Sequence, residues 1–168
     1  MTDVTSQIAV WARRPRGDRL ARLASTRQEL AARLHEVDDE TLARRPAADA
    51  WAPVEVVCHL RDLEESFHDR LALIVNSDEP RFPTTHPARW AIERQYLRQD
   101  ARAAAATFAA RRTETLTLLE GLPSAAWRRA GHQVDSRGRR TVDDFLTVMA
   151  WHDANHLAQL ERALRGRP

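Results

Sequence analysis

Two histidines stand one helical turn apart in the stretch WHDANHLAQLERAL, residues 151–164. Side chains at positions i and i+4 of an α-helix lie one above the other on the same face. His152 and His156 can therefore hold one metal ion between them. They can equally be two stacked histidines at the edge of a core, so other parts of the chain must distinguish these interpretations.

A third histidine is predicted to face the same core. The apolar stripe of the last segment steps by three and four positions and passes through both His152 and His156. A similar stripe in residues 56–74 includes His59, so this imidazole is also expected to point inward, whereas His68 is expected to face outward. A buried histidine alone is often a hydrogen-bonded core residue. The pair together with a third inward imidazole favours a metal site.

Three neutral imidazoles suit zinc, nickel, iron or copper, and three protein ligands leave positions open for water or substrate. We expect His59, His152 and His156 to bind a divalent ion, with zinc or nickel ranked first. Asp62 and Gln159 each lie one turn from a histidine and could orient an imidazole from behind. Solvation at the surface is the favoured role for Asp62. No general acid or base is identified beyond the three ligands.

Four long helices are predicted to position the histidines, and they cover residues 18–37, 53–75, 88–120 and 141–165. Asp18 is a candidate N-cap for the first, and Thr141 with Asp144 forms a capping box at the start of the fourth. Gly121 and Pro123 are expected to end the third. No segment is predicted as a strand. The fold class is therefore all-α, with a four-helix bundle as the architecture.

The link between the second and third helices allows a crossover. Residues 76–87, NSDEPRFPTTHP, are rich in proline and can span about 40 Å when extended. The order is then up-down-down-up, with the second and fourth helices antiparallel. In that order His59 and His156 lie at nearly the same height, about 9 Å and about 13 Å from one end. Trp51 and Trp127, which precede the second and fourth helices, are each expected to plug an end of the bundle.

Composition indicates one globular domain. Of the 168 residues, 43% are hydrophobic and 30% are charged. We divide the chain into an N-terminal extension, residues 1–17, and a bundle, residues 18–168. All basic side chains are arginine, and the formal net charge is only +2. Nucleic-acid binding would need the arginines gathered on one face. The densest cluster, RRAGHQVDSRGRR at residues 128–140, is interpreted as a solvated loop, so no nucleic-acid partner is expected.

The sequence also predicts where the protein resides. No apolar run approaches the roughly 20 residues of a membrane span, and the N-terminus MTDVTSQIAVWARRPRGD lacks an apolar secretory segment. The single cysteine, Cys58, excludes an internal disulfide framework and suits a reducing compartment. Cys58 is interpreted as a small buried hydrophobic residue. We expect a cytoplasmic protein with no membrane partner.

Two motifs resemble those of the DinB/YfiT-like superfamily. WAPVEVVCHLRDLEESF, residues 51–67, resembles the tryptophan-led second-helix motif of that family, whose histidine matches His59. WHDANHLAQLERAL resembles its closing H-x-x-x-H-(L/I)-x-Q motif and matches His152 and His156. The resemblance covers about residues 18–165. Ala52 departs from it, because the family commonly has serine or threonine there.

The resemblance implies a fold, a cofactor and a set of activities. It implies an up-down-down-up bundle, a divalent metal on His59, His152 and His156, and a homodimer. Family members include thiol-dependent S-transferases and a maleylpyruvate isomerase that use bacillithiol, mycothiol or glutathione, and others are regarded as metal-dependent hydrolases. The expected function is thiol-dependent S-transfer to a small electrophilic substrate through the metal site. A metal-dependent hydrolase and a non-catalytic, stress-related metal-binding bundle are the alternatives.

Overall fold

Four long helices build the fold in the computed structural model, which describes residues 3–83, 85–134 and 138–168. The bundle consists of α2 (Arg16–Leu34), α4 (Pro53–Asn76), α6 (Ala101–Glu120) and α7 (Val142–Leu164). Shorter helices flank it, namely α1 (Val4–Ala12), α3 (Asp39–Ala43) and α5 (Pro87–Glu93), together with 3-10 turns at Tyr96–Arg98 and Ser124–Arg128. Short strands occur at β1 (Arg81–Phe82), β2 (Ala130–Gln133) and β3 (Arg139–Thr141). The all-α class and the four-helix bundle are as predicted.

The second and fourth bundle helices, α4 and α7, pack against each other in opposite directions. His59 near the start of α4 meets His152 at the middle of α7, with Nε2 to Nε2 at 3.2 Å. Further along α4, the ring of Phe67 lies 6.2 Å from that of Phe145 near the start of α7. Contact positions that rise on one helix and fall on the other require an antiparallel pair, as predicted.

The second and third bundle helices, α4 and α6, run parallel. Arg61 donates to the Gln99 side chain just before α6 at 2.7 Å, and His68 lies 3.2 Å from the Thr115 hydroxyl further along both helices. The chain that joins Asn76 to Ala101, which includes α5 and the 3-10 turn at Tyr96–Arg98, must therefore return along the bundle. The predicted crossover is confirmed.

The first bundle helix, α2, completes the up-down-down-up order. α2 packs between α6 and α7. Arg19 contacts Asp143 at 3.0 Å near the start of both α2 and α7, and Arg33 contacts Glu161 at 3.3 Å near the end of both. α2 and α7 are therefore parallel to each other, and both oppose α4.

The predicted third helix, residues 88–120, is wrong as a single element. Gln95 has φ of 51°, in the left-handed region, which interrupts an α-helix. Asp100 then caps α6, because its carboxylate accepts from the backbone N–H groups of Arg102 and Ala103 at 2.8 and 3.0 Å. The segment is thus α5, a 3-10 turn and α6 instead of one continuous rod.

The other helix ends agree more closely with prediction. Thr141 and Asp144 form the predicted capping box, with each side chain accepting from the backbone N–H of the other residue. Asp18 is not the N-cap of α2, since Pro15 occupies that position and Asp18 lies in the first turn, where a negative charge faces the positive end of the helix dipole.

The expectation that the chain forms no strand is wrong. β2 pairs in parallel with β1 and antiparallel with β3, in the order β1-β2-β3. At Gly131 in β2, a Cβ atom would lie 2.3 Å from the ring of the buried Phe82, so a side chain there would displace that ring. The arginine-rich cluster of residues 128–140, interpreted above as a solvated loop, therefore contains β2 and β3, while residues 135–137 lie outside the described residues.

The N-terminal segment contains a helix that packs on the bundle. α1 lies against α7, where the Trp151 indole N–H donates to the side-chain oxygen of Gln7 at 3.1 Å. Among the described residues, no helix is both long enough and apolar enough to span a membrane.

Candidate metal centre

Three imidazoles meet between α4 and α7. His59 lies near the start of α4, six residues after Pro53, while His152 and His156 project toward it from α7. One ligand nitrogen from each lies within 4.8 Å of the others. The structure thus brings together the three predicted site residues. His68 lies elsewhere, half-buried and near the Thr115 hydroxyl, so the prediction that it faces fully outward is only partly right.

One pair of ring nitrogens has the spacing expected for two ligands of one metal ion. Two ligands about 2.0–2.1 Å from a tetrahedral zinc lie about 3.3 Å apart, and the Nε2 atoms of His59 and His152 are separated by 3.2 Å. The same distance also fits an imidazole–imidazole hydrogen bond. A hydrogen bond between His59 and His152 does not involve His156, whereas a metal ion would use all three rings. The donor set therefore fits a divalent ion.

Burial keeps these imidazoles neutral, which is the form that binds metal. Desolvation, helped by the nearby His156 and opposed by Asp62, lowers the pKa of His59 to about 3. Burial likewise holds the pKa of His152 well below its ordinary value, with His156 and His59 adding to the effect. The pKa of His156 is lowered by burial, although Gln159 partly opposes this. At neutral pH each ring therefore offers a lone pair.

Gln159 orients one of the three rings. Its side-chain oxygen lies 2.7 Å from Nδ1 of His156, one turn earlier on α7. The amide oxygen can only accept, so Nδ1 of His156 carries the proton and Nε2 keeps the lone pair for a metal. Nδ1 of His59 is buried and has no hydrogen-bond partner among the described residues.

Trp51 forms a wall of the centre. Its ring lies 4.9 Å from that of His59 and is stacked at 6.4 Å from that of His156. Trp51 had been expected to plug an end of the bundle, but the structure places it over the imidazoles. Trp51 and His156 are half-buried, whereas His59 and His152 are only 6% and 7% exposed, so the solvent-facing side lies at Trp51 and His156.

Asp62 is buried, which contradicts its favoured role in surface solvation. Its carboxylate accepts hydrogen bonds from Arg61 at 2.7 Å, Arg94 at 2.7 Å and the Tyr96 hydroxyl at 2.6 Å. Burial alone would raise the pKa of Asp62, but these three donors outweigh it and lower the pKa, so the group stays ionised. Asp62 therefore ties α4 to the segment before α6 and makes no hydrogen bond to His59 in the described structure.

Sequence reasoning missed a charged network behind His152. The Arg112 guanidinium, 1% exposed, donates to the carboxylates of Asp153 and Glu64 and to the backbone carbonyl of Leu23. Burial alone would lower the pKa of Arg112, but the charges of Asp153 and Glu64 outweigh it and raise the pKa. This network, with Arg112 at its centre, fixes the α7 residue next to His152.

Cys58 is adjacent to His59 in sequence but is not available as a nucleophile. It is fully buried, as predicted, and burial raises the pKa of its thiol to about 11. Its sulfur lies 3.6 Å from the side-chain oxygen of Gln99, to which a protonated thiol can donate. The thiol is therefore protonated at neutral pH.

The fold is an up-down-down-up bundle, and three histidines converge from its second and fourth helices. These two features define a class of small helical proteins with a potential metal-binding site. The family profile of the DinB superfamily matches residues 22–160, and the chain belongs to that superfamily.

Individual relatives agree with this assignment. A protein of Oceanobacillus iheyensis named "Putative metal-dependent hydrolase" is 23% identical over 155 residues, which cover 86% of this chain and 83% of the relative. YfiT from Bacillus subtilis, described as "a probable metal-dependent hydrolase with an unusual four-helix bundle topology", aligns with a TM-score of 0.82 and 19% identity over 89% of this chain and 86% of YfiT. A mycothiol-dependent maleylpyruvate isomerase aligns with a TM-score of 0.71 and 12% identity over 89% of this chain and 62% of the isomerase.

Proposed function

We propose that this chain is a metal-dependent enzyme in which His59, His152 and His156 hold one divalent ion, zinc or nickel. The observation that carries the proposal is the convergence of three neutral imidazole nitrogens within 4.8 Å of one another. Two relatives described as metal-dependent hydrolases support it. Three protein ligands are the number that catalytic zinc sites use, since they leave a position open.

Within that class we propose thiol-dependent S-transfer to a small electrophile. A divalent ion bound by neutral imidazoles would lower the pKa of a thiol or of water and so supply a nucleophile at neutral pH. The nucleophile must come from solution, because the thiol of Cys58 is buried and protonated. The similarity to a mycothiol-dependent isomerase supports a thiol in this role.

The chain's own residues would position and shield this chemistry. Gln159 holds the His156 ring through Nδ1 and leaves Nε2 to face the centre. Trp51 lies over the rings of His59 and His156 on the solvent-facing side of the centre. On the other side Phe67 meets the ring of His152 edge to face, with centroids 6.0 Å apart. These apolar surroundings favour a weakly hydrated sulfur nucleophile over water.

Hydrolysis is the second candidate, because the two relatives described as metal-dependent hydrolases carry that activity in their descriptions. It needs the same three histidines and the same open position, with water in place of the thiol. The two candidates therefore differ in the nucleophile and not in the architecture of the site.

The test is a thiol titration of the cobalt-substituted protein. Bacillithiol, mycothiol and glutathione are added in turn while the visible and near-ultraviolet spectra are recorded, and the active thiol is then assayed with an electrophilic substrate. S-transfer predicts a new sulfur-to-cobalt band with one thiol, and no such band in the His156→Ala variant. If no thiol changes the spectrum at millimolar concentration while esters or amides are turned over, hydrolysis is the function. If neither occurs, the bundle is non-catalytic.

A further inference from the structure

A cavity of about 310 Å³ adjoins the metal centre. We call it the α1 cavity, because α1 covers it from one side, while α4 and α7 form its other walls. It reaches His152 at one end, and its walls are mostly apolar and include Ile8, Leu63, Phe67, Phe145 and Trp151. Its volume lies at the small end of the range for ligand pockets, about 300–1,000 Å³. It can therefore hold one small molecule.

The opposite end of the α1 cavity is positively charged. Arg70 and Arg140 both line it, Arg70 from α4 and Arg140 from β3. Arg70 is 8% exposed, and its guanidinium donates to the Thr85 hydroxyl at 3.0 Å. Asp144 also lines the cavity, but its carboxylate accepts from both the backbone N–H and the hydroxyl of Thr141 in the capping box. Of the described residues that line the cavity, two carry a guanidinium group and one carries a carboxylate.

The charged end and the histidine end are separated along both helices. Asp144 precedes His152 by eight residues on α7, a rise of about 12 Å, and Leu63 precedes Arg70 by seven residues on α4, about 10 Å. Because α4 and α7 are antiparallel, the step from His152 back to Asp144 and the step from Leu63 on to Arg70 both lead from the histidine end to the charged end. A molecule that touches both ends must therefore be elongated, with its middle against the contacting rings of Phe67 and Phe145.

We propose that the α1 cavity binds a small monocarboxylate whose apolar body lies against the contacting rings of Phe67 and Phe145. Its carboxylate is held by Arg70 and Arg140, and its other end faces His152. The planar guanidinium fork matches a carboxylate and can donate two parallel hydrogen bonds to it. The identification of this molecule as the substrate rests on the proposed function. The substrate class would then be an electrophile with an apolar body and a terminal carboxylate.

The chemistry of the walls favours a carboxylate over a larger anion. A phosphate ester carries more charge and more oxygen atoms that need partners, and burying such atoms against apolar walls is costly. A monocarboxylate has two oxygen atoms, which two guanidinium groups can satisfy, and the rest of the molecule gains free energy by burial of apolar surface. The cavity is therefore matched to one anionic end and one apolar body.

The test compares a carboxylate with its neutral analogue by isothermal titration calorimetry on the full chain. The probes are 4-phenylbutanoate and 4-phenylbutanamide, and both are titrated into metal-free and zinc-treated protein. Arg140→Gln removes one guanidinium from the cavity. Arg139→Gln is the matched control, because Arg139 on the same strand pairs with Glu79 at 2.8 Å and does not line the cavity.

We expect 4-phenylbutanoate to bind more tightly than the amide. Arg140→Gln should weaken binding of the carboxylate by about tenfold or more, the typical effect of losing a charge-assisted hydrogen bond, and should leave binding of the amide unchanged. Arg139→Gln should change neither. Equal affinities for the two probes, equal effects of the two variants, or no binding of the carboxylate at millimolar concentration would overturn the proposal.

Failure of this inference can be told apart from failure of the proposed function, because the carboxylate probe does not need the metal. If the protein binds zinc through the three histidines but does not bind the carboxylate, the cavity proposal is wrong and the metal proposal stands. If Arg140-dependent carboxylate binding is found in a protein that takes up no metal, the metal proposal is wrong and the cavity is a binding site without metal chemistry.

Discussion

Replacing Arg112 by methionine should destabilise the bundle strongly, because it leaves two carboxylates buried without their cation. The side chains of Arg112, Glu64 and Asp153 are only 1%, 0% and 2% exposed. Methionine keeps an unbranched apolar stem but lacks the guanidinium group, with its charge and its donors. Breaking a buried ion pair by removing one partner costs about 3–5 kcal/mol. In a chain of this size each 1 kcal/mol lowers the melting temperature by about 2–4 °C.

The assay is urea unfolding of the metal-free protein, followed by circular dichroism, with Arg111→Met as the control. Arg111 is the adjacent residue on α6, but its side chain is 33% exposed and pairs with Glu114 at the surface, so its loss should cost at most about 1 kcal/mol. Adding Glu64→Gln and Asp153→Asn to Arg112→Met should recover part of the loss, because both uncompensated charges are then removed. If Arg112→Met is no less stable than Arg111→Met, the network does not stabilise the fold and this reasoning is refuted.

Three further predictions concern the centre and its surroundings. Burial holds the pKa of His59 near 3 in the folded protein and lowers the pKa values of His152 and His156. In the unfolded metal-free chain these histidines have the ordinary pKa of about 6.5, so below that pH the unfolded chain binds more protons than the folded one. The free energy of unfolding should therefore be highest above pH 6.5 and should decrease between pH 6.5 and 5, by up to about 1.4 kcal/mol per pH unit for each histidine. A free energy of unfolding that urea titrations show to be constant over this range would contradict the prediction. Gln159→Leu should weaken zinc affinity about 10–100-fold in a competition titration by releasing the His156 ring, whereas unchanged affinity would show that the hydrogen bond has no such role. The thiol of Cys58, with its pKa raised to about 11 by burial, should react with Ellman's reagent at pH 8 only after unfolding, and rapid labelling of the native protein would disprove its burial.

The sequence predicts the helices and the meeting of the three histidines because both depend on local periodicity. A 3.6-residue stripe that includes His59 on one helix and His152 with His156 on another defines two inward faces. Packing those faces together brings the imidazoles close once α4 and α7 are antiparallel, and the long link at residues 76–87 favours that order. Metal binding by the three residues remains a prediction.

Other features are not predicted from the sequence, because they depend on partners that are distant in sequence. Arg112 lies on the buried face of α6 four residues after Phe108, but a charged residue inside a stripe is normally assigned to the solvent-facing side. Its position four residues after a core aromatic residue is the signal that could have indicated burial. The break at Gln95 has no glycine or proline to mark it, and β3 consists mostly of arginine and is set by pairing with β2. In each case tertiary contacts override local preference.

The most direct test of the metal centre is the metal content of five proteins measured side by side. Wild type, His59→Ala, His152→Ala, His156→Ala and His68→Ala are stripped of metal, incubated with excess zinc or nickel, passed through a desalting column and analysed by mass spectrometry of the elements. Circular dichroism confirms that each variant is folded. We predict one ion per chain for wild type and for His68→Ala, and a loss of stoichiometric binding in the other three. Retention of one ion per chain by all three of those folded variants would contradict the proposed centre and leave the histidines as core residues.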